Sequence, residues 1–263
     1  MNKKIFTLRI ELIILVVIIL MLFNVGLFNA IIPSGGTISP LSNSTSPVDS
    51  PQSVSAVAGN VTELNIYGTS VTQSWQGYYG NVTGTIELTD GSNNTLYNWS
   101  ATSPRGEVYS SNESGVIWTN IMCFNFTANG TLCNEGIENR GGTSKCGMNL
   151  TQLESAYNIN ASDVDGVNET FNRQDHETFY SNSLLFGTGE CVNTKLFDSE
   201  GVGLFDEVLL WSPESNATIF TSILKEDGGG FSGNSHDFEM IVLEDGHGTD
   251  IDITNYYFYV ELQ

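Results

Sequence analysis

A run of twenty-one residues near the start of the chain, Leu12 to Ile32 (LIILVVIILMLFNVGLFNAII), limits what everything after it can be. As a helix it would measure about 31 Å, the thickness of a bilayer's hydrocarbon layer. Leu12 to Phe23 carries no polar side chain, Asn24 and Asn29 weaken the second half, and Pro33 with Gly35 and Gly36 ends a helix. Lys3, Lys4 and Arg9 precede the run and no basic cluster follows closely, a bias that holds the amino terminus in the cytoplasm. The expectation is a basic cytoplasmic start over 1–11 and a single transmembrane anchor over 12–32. A cleaved secretory signal shares the basic start and apolar centre, but a cut after Ala30 puts bulky Phe28 where a small residue is wanted. Both readings place the carboxyl-terminal part outside the cell membrane.

From Pro33 to Ala56 (PSGGTISPLSNSTSPVDSPQSVSA) small and polar residues with Pro dominate, the composition of a linker or stalk. The domain is expected to begin at Val57 and run to Gln263. Of the 30 acidic residues only Glu11 and Asp49 precede Val57, and of the nine basic ones Lys3, Lys4 and Arg9 do, leaving 28 against 6 in the domain. Such a surface repels nucleic acid and anionic lipid headgroups, so nucleic acid is no partner. Four Cys beyond the anchor fit an oxidising compartment and two disulfides. Cys133 and Cys146 bracket a Gly-rich loop as a local staple, which leaves Cys123 and Cys191 for a long-range one. Zinc held by four Cys is the rival reading, but no C-x-x-C pair is present. N-x-[ST] occurs at Asn43, Asn60, Asn81, Asn93, Asn98, Asn112, Asn125, Asn129, Asn149, Asn160, Asn168 and Asn216. Behind a membrane-targeting segment these point to a glycosylated surface protein.

Beyond the linker the signals are short strands and Gly, Asn and Asp turns. VTELNIYG, VTQSWQG, EVYSS, GVIWTNIMCFNF, DFEMIVLE and NYYFYVELQ read as strands. NVTGTIELT and TLYNWS around DGSNN, and FDEVLLWS and ATIFTSILK around PESN, read as hairpins. This predicts a mainly β, β-sandwich-like extracellular domain. One short helix is expected, LTQLESAYN, capped by Asn149 with Leu150, Leu153 and Tyr157 on one face. The stretch 134–180 is otherwise read as an irregular insertion.

Two resemblances bear on location. KKIFTLRIELIILVVII resembles the start of type IV pilin-like subunits, with a basic leader, FTL, a Glu and a long apolar helix. That likeness implies polymerisation of the helix in a filament core, with Glu11 registering subunits. Ile5 stands where a small residue normally precedes the cut, Arg9 intrudes, and Pro33 stops the long helix. SVTQSWQGYYGNVTGTIELTDG, FDEVLLWS and EMIVLEDGHGTD resemble segments of uncharacterised archaeal membrane-anchored cell-surface proteins. That group implies a β-rich ectodomain at the cell surface and brings no activity or functional residues.

Candidates for chemistry are few. DVDGVNE offers Asp163, Asp165 and Glu169, and EDGHGTDID offers Asp250 and Asp252, as oxygen ligands for calcium, though neither has the spacing of an EF-hand loop. Trp75, Tyr78 and Tyr79 in SWQGYYG suit stacking on sugars, unless they serve the core or cover an edge. His176, His236 and His247 sit beside carboxylates without a metal-protease motif, and Ser232 in GFSGN falls short of a nucleophile elbow. The function this favours is a membrane-anchored, N-glycosylated structural or interaction protein of the cell surface, contacting other surface proteins or itself. A displayed carbohydrate-binding module is the alternative and an extracellular hydrolase the third.

Overall fold

Runs of β-branched and aromatic residues bounded by Gly, Asn and Asp give strands almost throughout. The structure is a computed structural model that describes residues 32–101, 105–126, 148–245 and 253–263. Its elements are β1 (Ser34–Gly35), β2 (Trp75–Gly80), β3 (Gly84–Thr89), β4 (Thr95–Ala101), β5 (Gly106–Ser111) and β6 (Met122–Cys123). Two helices follow, α1 (Leu150–Ala156) and α2 (Val167–Thr170). Then come β7 (Phe179–Ser181), β8 (Leu184–Phe186), β9 (Asn193–Phe197), β10 (Gly203–Ser212) and β11 (Ala217–Ile223). The chain closes with β12 (Gly228–Gly229), β13 (Ser235–His236), β14 (Phe238–Leu243) and β15 (Tyr257–Leu262). The fold is mainly β, with several antiparallel sheets. Leu12 to Ile31 of the expected anchor lie outside the described residues, and none of the described helices is long and apolar enough to cross a membrane.

Among the described residues the largest sheet is seven-stranded, running β1-β15-β5-β11-β10, with β6 and β9 sharing the far side of β10. The expected hairpin of FDEVLLWS and ATIFTSILK is its centre, closing with Ser212 opposite Ala217 and Asn216 in the left-handed region at φ 53°. Phe205 to Ser212 are buried without alternation, so both faces of this strand are covered. Alternation sorts the faces. Phe205, Glu207, Leu209 and Trp211 point one way with Phe220 and Ser222. Asp206, Val208 and Leu210 point the other way with Ile219 and Thr221.

The ribbon of β2 and β14 covers the first face. Side chains seat it: Ser222 Oγ donates to Glu239 O at 2.7 Å, and Ile241 N donates to Glu207 Oε2 at 3.0 Å. These bonds satisfy β14 where it has no strand neighbour. Phe171 adds a ring 6.4 Å from Phe220, and burying a ring such as Phe220 stabilises by about 2–3 kcal/mol. The β7–β8 hairpin covers the second face. Tyr109 Oη donates to Tyr180 O at 3.2 Å, Tyr180 N donates to Glu107 Oε1 at 3.3 Å, and Asn182 N donates to Glu261 Oε2 at 2.9 Å.

The expected Cys123–Cys191 disulfide is present, across a sequence separation of 68. It joins two short segments lying along β10, where Phe124 N donates to Leu209 O and Leu209 N to Val192 O. Beside it the buried His176 accepts from Cys191 N through Nε2 at 2.9 Å and donates from Nδ1 to Glu177 O at 2.7 Å. Only a neutral ring can do both, and burial pushes its pKa below the ordinary value. Cys133 and Cys146 lie outside the described residues. The helix forms as expected: Asn149 Oδ1 accepts from Gln152 N at 2.7 Å and Gln152 Oε1 accepts from Asn149 N at 2.9 Å. Leu153 is buried, with Leu150 and Tyr157 half-buried against the core.

Three expectations change. VTELNIYG forms no strand; residues 36–73 are exposed throughout, so the exposed, strand-free stretch passes the expected boundary at Val57 and ends where Ser74 becomes buried. That stretch pairs with no strand among the described residues, so its β-prone residues have no sheet to join. Ser34 and Gly35, read as linker, instead pair with Val260 and Tyr259 and cover the outer edge of β15. GVIWTNIMCFNF yields only the two-residue β6, because Asn120 and Asn125 adopt φ of 60° and 67°, which end an extended run. The expected insertion is described only from Met148 onward, where it holds α1, α2 and the start of β7.

Candidate interaction surface

The expected β3–β4 hairpin forms around DGSNN. Asp90 Oδ1 accepts from Ser92 N at 2.8 Å and Asn94 N at 2.9 Å, and Asn93 takes the left-handed position at φ 64°. Hydrogen bonds from the Asn94 side chain and the Asn94 and Ser92 amides hold the exposed Asp90 carboxyl below its ordinary pKa. Ile86 lies opposite Trp99 and Leu88 opposite Tyr97, so these four side chains share one face. Thr85, Glu87, Asn98 and Ser100 share the other.

The hairpin is a two-stranded sheet with no third strand among the described residues. Its apolar face is open to solvent: Trp99 is 51% exposed, Tyr97 57%, Leu88 50% and Ile86 40%. The Tyr97 and Trp99 rings sit edge to face with centroids 4.8 Å apart. Together the four residues expose about 400 Å² of apolar surface, within the range of the largest, often functional, patch on a monomer. Fully covering it releases on the order of 10 kcal/mol, an upper value. The face carries no charge, in a chain of net charge -21.

The sugar-stacking candidates do not form one exposed platform. Trp75 is partly buried, donates from Nε1 to Asp165 O at 2.6 Å, and leans on Phe171 with centroids 6.0 Å apart. Tyr78 meets Phe258 edge-on at 5.1 Å, and burial raises its pKa. Tyr79 lies half exposed against Phe231 and His236. The described calcium candidates make separate contacts. Asp163 Oδ2 accepts from Asn160 N at 2.9 Å, Asp165 Oδ2 accepts from Thr72 Oγ1 at 2.6 Å, and Glu169 stands in α2. No group of three His, Cys, Asp or Glu converges among the described residues, and Asp250, Asp252 and His247 lie outside them.

Of the glycosylation candidates, Asn43, Asn60, Asn81, Asn93, Asn98, Asn112, Asn160, Asn168 and Asn216 are exposed, while Asn125 and Asn149 are half-buried. Asn149 is committed to its helix cap, and Asn129 lies outside the described residues.

Two groups escaped the sequence reading, around Glu107 and around Glu207, and a third gives the suspected His236 a partner that the sequence did not show. Glu107 and Glu261 are direct partners in the β5–β15 register and both are buried. Burial, then the neighbouring Glu261, pushes Glu107 up to about 8; burial pushes Glu261 up to about 6. Gly106, at φ +124°, lets the strands approach, since a Cβ there would lie 2.0 Å from Glu261 O. Glu207 is wholly buried, which drives its pKa well above the ordinary value, and its Oε1 has no hydrogen-bond partner among the described residues. His236 donates to or accepts from Glu239 at 3.1 Å beneath the β12–β13 turn, where only a glycine fits at Gly230. A polar cleft of about 550 Å³ is lined by Asn149, Thr151, Asn168, Asn172, Arg173 and Gln174, among others. The sequence shows these acids, but only strand register reveals which ones meet.

Compared with protein-family models, curated proteins and solved structures, the chain finds no match in any of the three.

Proposed function

We propose that this chain is a membrane-anchored, N-glycosylated cell-surface interaction protein, with a sandwich-like β domain that contacts its partner by packing rather than by chemistry. One observation carries the reading: Ile86, Leu88, Tyr97 and Trp99 form an uncharged apolar face that the described fold leaves uncovered. Sequons with exposed Asn and the oxidised Cys123–Cys191 pair agree with an extracellular setting. The anchor and outward orientation rest on the apolar run and its basic flank. Imaging of labelled protein on native cells tests it. Ordered or clustered distribution is expected, dispersing when Ile86→Ser and Trp99→Ser are combined. The same distribution for both proteins refutes the reading.

A carbohydrate-binding module is the second reading, favoured by the cleft's amide lining, which offers donors and acceptors together. Glycan-array binding lost on Asn172→Ala would support it, and an array with no binding by the wild-type chain would remove it.

A further inference from the structure

The hairpin is not the only apolar element left uncovered. Val61, Leu64, Ile66 and Tyr67 lie on the exposed, strand-free stretch; Val61 is 101% and Ile66 88% exposed, in a sequence (VTELNIY) rich in strand-forming residues. In an extended conformation Thr62, Leu64 and Ile66 point to one side, and Val61, Glu63, Asn65 and Tyr67 to the other. The hairpin has Ile86, Leu88, Tyr97 and Trp99 on one face and Thr85, Glu87, Asn98 and Ser100 on the other, so Leu64 and Ile66 match its apolar face and Glu63 and Asn65 its polar one. It also has unpaired strand edges among the described residues. We propose that Val61–Tyr67 of a second copy of this chain adds as a third strand to the outer edge of β4. Leu64 and Ile66 then continue the apolar face beside Tyr97 and Trp99. The proposal rests on the interaction-surface reading and names the occupant of that surface.

Charge selects the edge. Against β3, Glu63 would stand directly beside Glu87; against β4 its neighbours on that face are Asn98 and Ser100, and Glu87 lies one strand further away. The occupant is a second copy because, within one chain, the described structure leaves both elements exposed. Every copy carries both a strand to give and an edge to receive, so reciprocal exchange closes a twofold pair. The chain's net charge of -21 opposes self-association at long range, while the contact itself is nearly uncharged. Added salt therefore strengthens this contact, whereas it would weaken a contact with a basic partner.

Mass photometry of the full chain at low and high salt, across a concentration series, tests this. Two variants are compared: Leu64→Pro with Ile66→Pro, which cannot pair as a strand, and Tyr97→Ser with Trp99→Ser, which lacks the receiving face. All proteins keep the same Leu12–Ile32 run, so association through that run is common to all. Far-ultraviolet circular dichroism confirms that each variant is folded. The expected result is a wild-type dimer favoured by salt, with about tenfold or greater weakening in each variant. Mixing the two variants restores association, since one giving strand and one receiving edge remain intact. If the proline variant dimerises like wild type while the Tyr97/Trp99 variant does not, the donor-strand proposal is overturned and the hairpin surface stands. If neither variant weakens association, the role of the hairpin in self-contact fails as well. A wild-type chain that stays monomeric at all salts and concentrations overturns the second copy as occupant and leaves the surface to another partner.

Discussion

Glu107 and Glu261 face each other across β5 and β15, with Tyr109 Oη donating to Glu261 Oε2 at 2.9 Å and Gln263 Nε2 to Glu107 Oε2 at 3.3 Å. Below about pH 4.5 both are protonated whether the chain is folded or not, and they add no pH dependence. As pH rises above 4.5 the unfolded chain releases these protons while the folded one holds them, Glu261 to about 6 and Glu107 to about 8. Stability therefore falls with rising pH across this window and levels off above about 8. For Glu107 the interval from 4.5 to about 8 corresponds to about 5 kcal/mol at 1.36 kcal/mol per pH unit. Relaxation and water entry around the ionised pair bring the expected fall to about 2–4 kcal/mol. Glu107→Gln keeps the shape and a carbonyl for Tyr180 N–H, yet cannot ionise. Urea unfolding of the full chain by tryptophan fluorescence, from pH 4 to 9, reads both proteins. Trp118 packs on Tyr109 with centroids 4.8 Å apart and lies beside the pair. The variant should lose most of the decline between pH 5 and 8, and the difference between the two curves removes contributions from other carboxylates. Parallel curves across that range would refute the reasoning.

Replacing Cys123 and Cys191 together with Ala opens a loop spanning 68 positions and should cost about 4 kcal/mol in urea unfolding, with reductant doing the same to wild type. Lys195→Met leaves the buried Asp206, now bonded to Lys195 Nζ at 2.6 Å, without its cation; a loss of about 3 kcal/mol is expected, much of it recovered by adding Asp206→Leu. Asn149→Ala removes the side-chain arm of the α1 cap, leaving the backbone N–H of residue 149 bonded to Gln152, and should cost about 1 kcal/mol, read as a small drop in melting temperature. Trp75→Phe removes the bond to Asp165 O and should cost a similar amount; an unchanged melting temperature would show that this tie carries no weight.

Local signals reached far into this fold. Turn chemistry placed both the DGSNN and PESN hairpins, and the Asn149 cap placed α1, because each depends on a few adjacent residues. Elimination among four Cys gave Cys123–Cys191. What failed to appear in the sequence is non-local. VTELNIYG has the composition of a strand and lacks a neighbour to pair with. The β7–β8 hairpin, turning at Asn182 with φ 56°, starts at the end of the stretch read as irregular and runs past it, and it was missed because each strand is only three residues long. The candidate surface was half legible: Ile86, Leu88, Tyr97 and Trp99 were assigned to strands, but alternation cannot say whether the apolar side of a hairpin meets a core or water. Trp75 and Tyr78 show the reverse, suspected as an exposed platform and found packed.

Ser34 and Gly35 hold the start of the described chain to β15 by a bridge only two residues long, and residues 36–71 beyond it touch little. Under load this arrangement is a slack line behind a weak clip. Tension applied on the amino-terminal side of Ile32 falls first on that bridge, which can be released without disturbing β5, β11 or β10. Once it opens, 36 further residues straighten to roughly 120 Å before force reaches β2. Stretching single chains should show a low-force event releasing a length of that order, well before the unfolding of the sheet. A first rupture at the force of the whole domain would mean that the bridge is stronger than its two residues imply. A protein loaded in this way yields in length while its folded body, with the disulfide and both hairpins, stays intact.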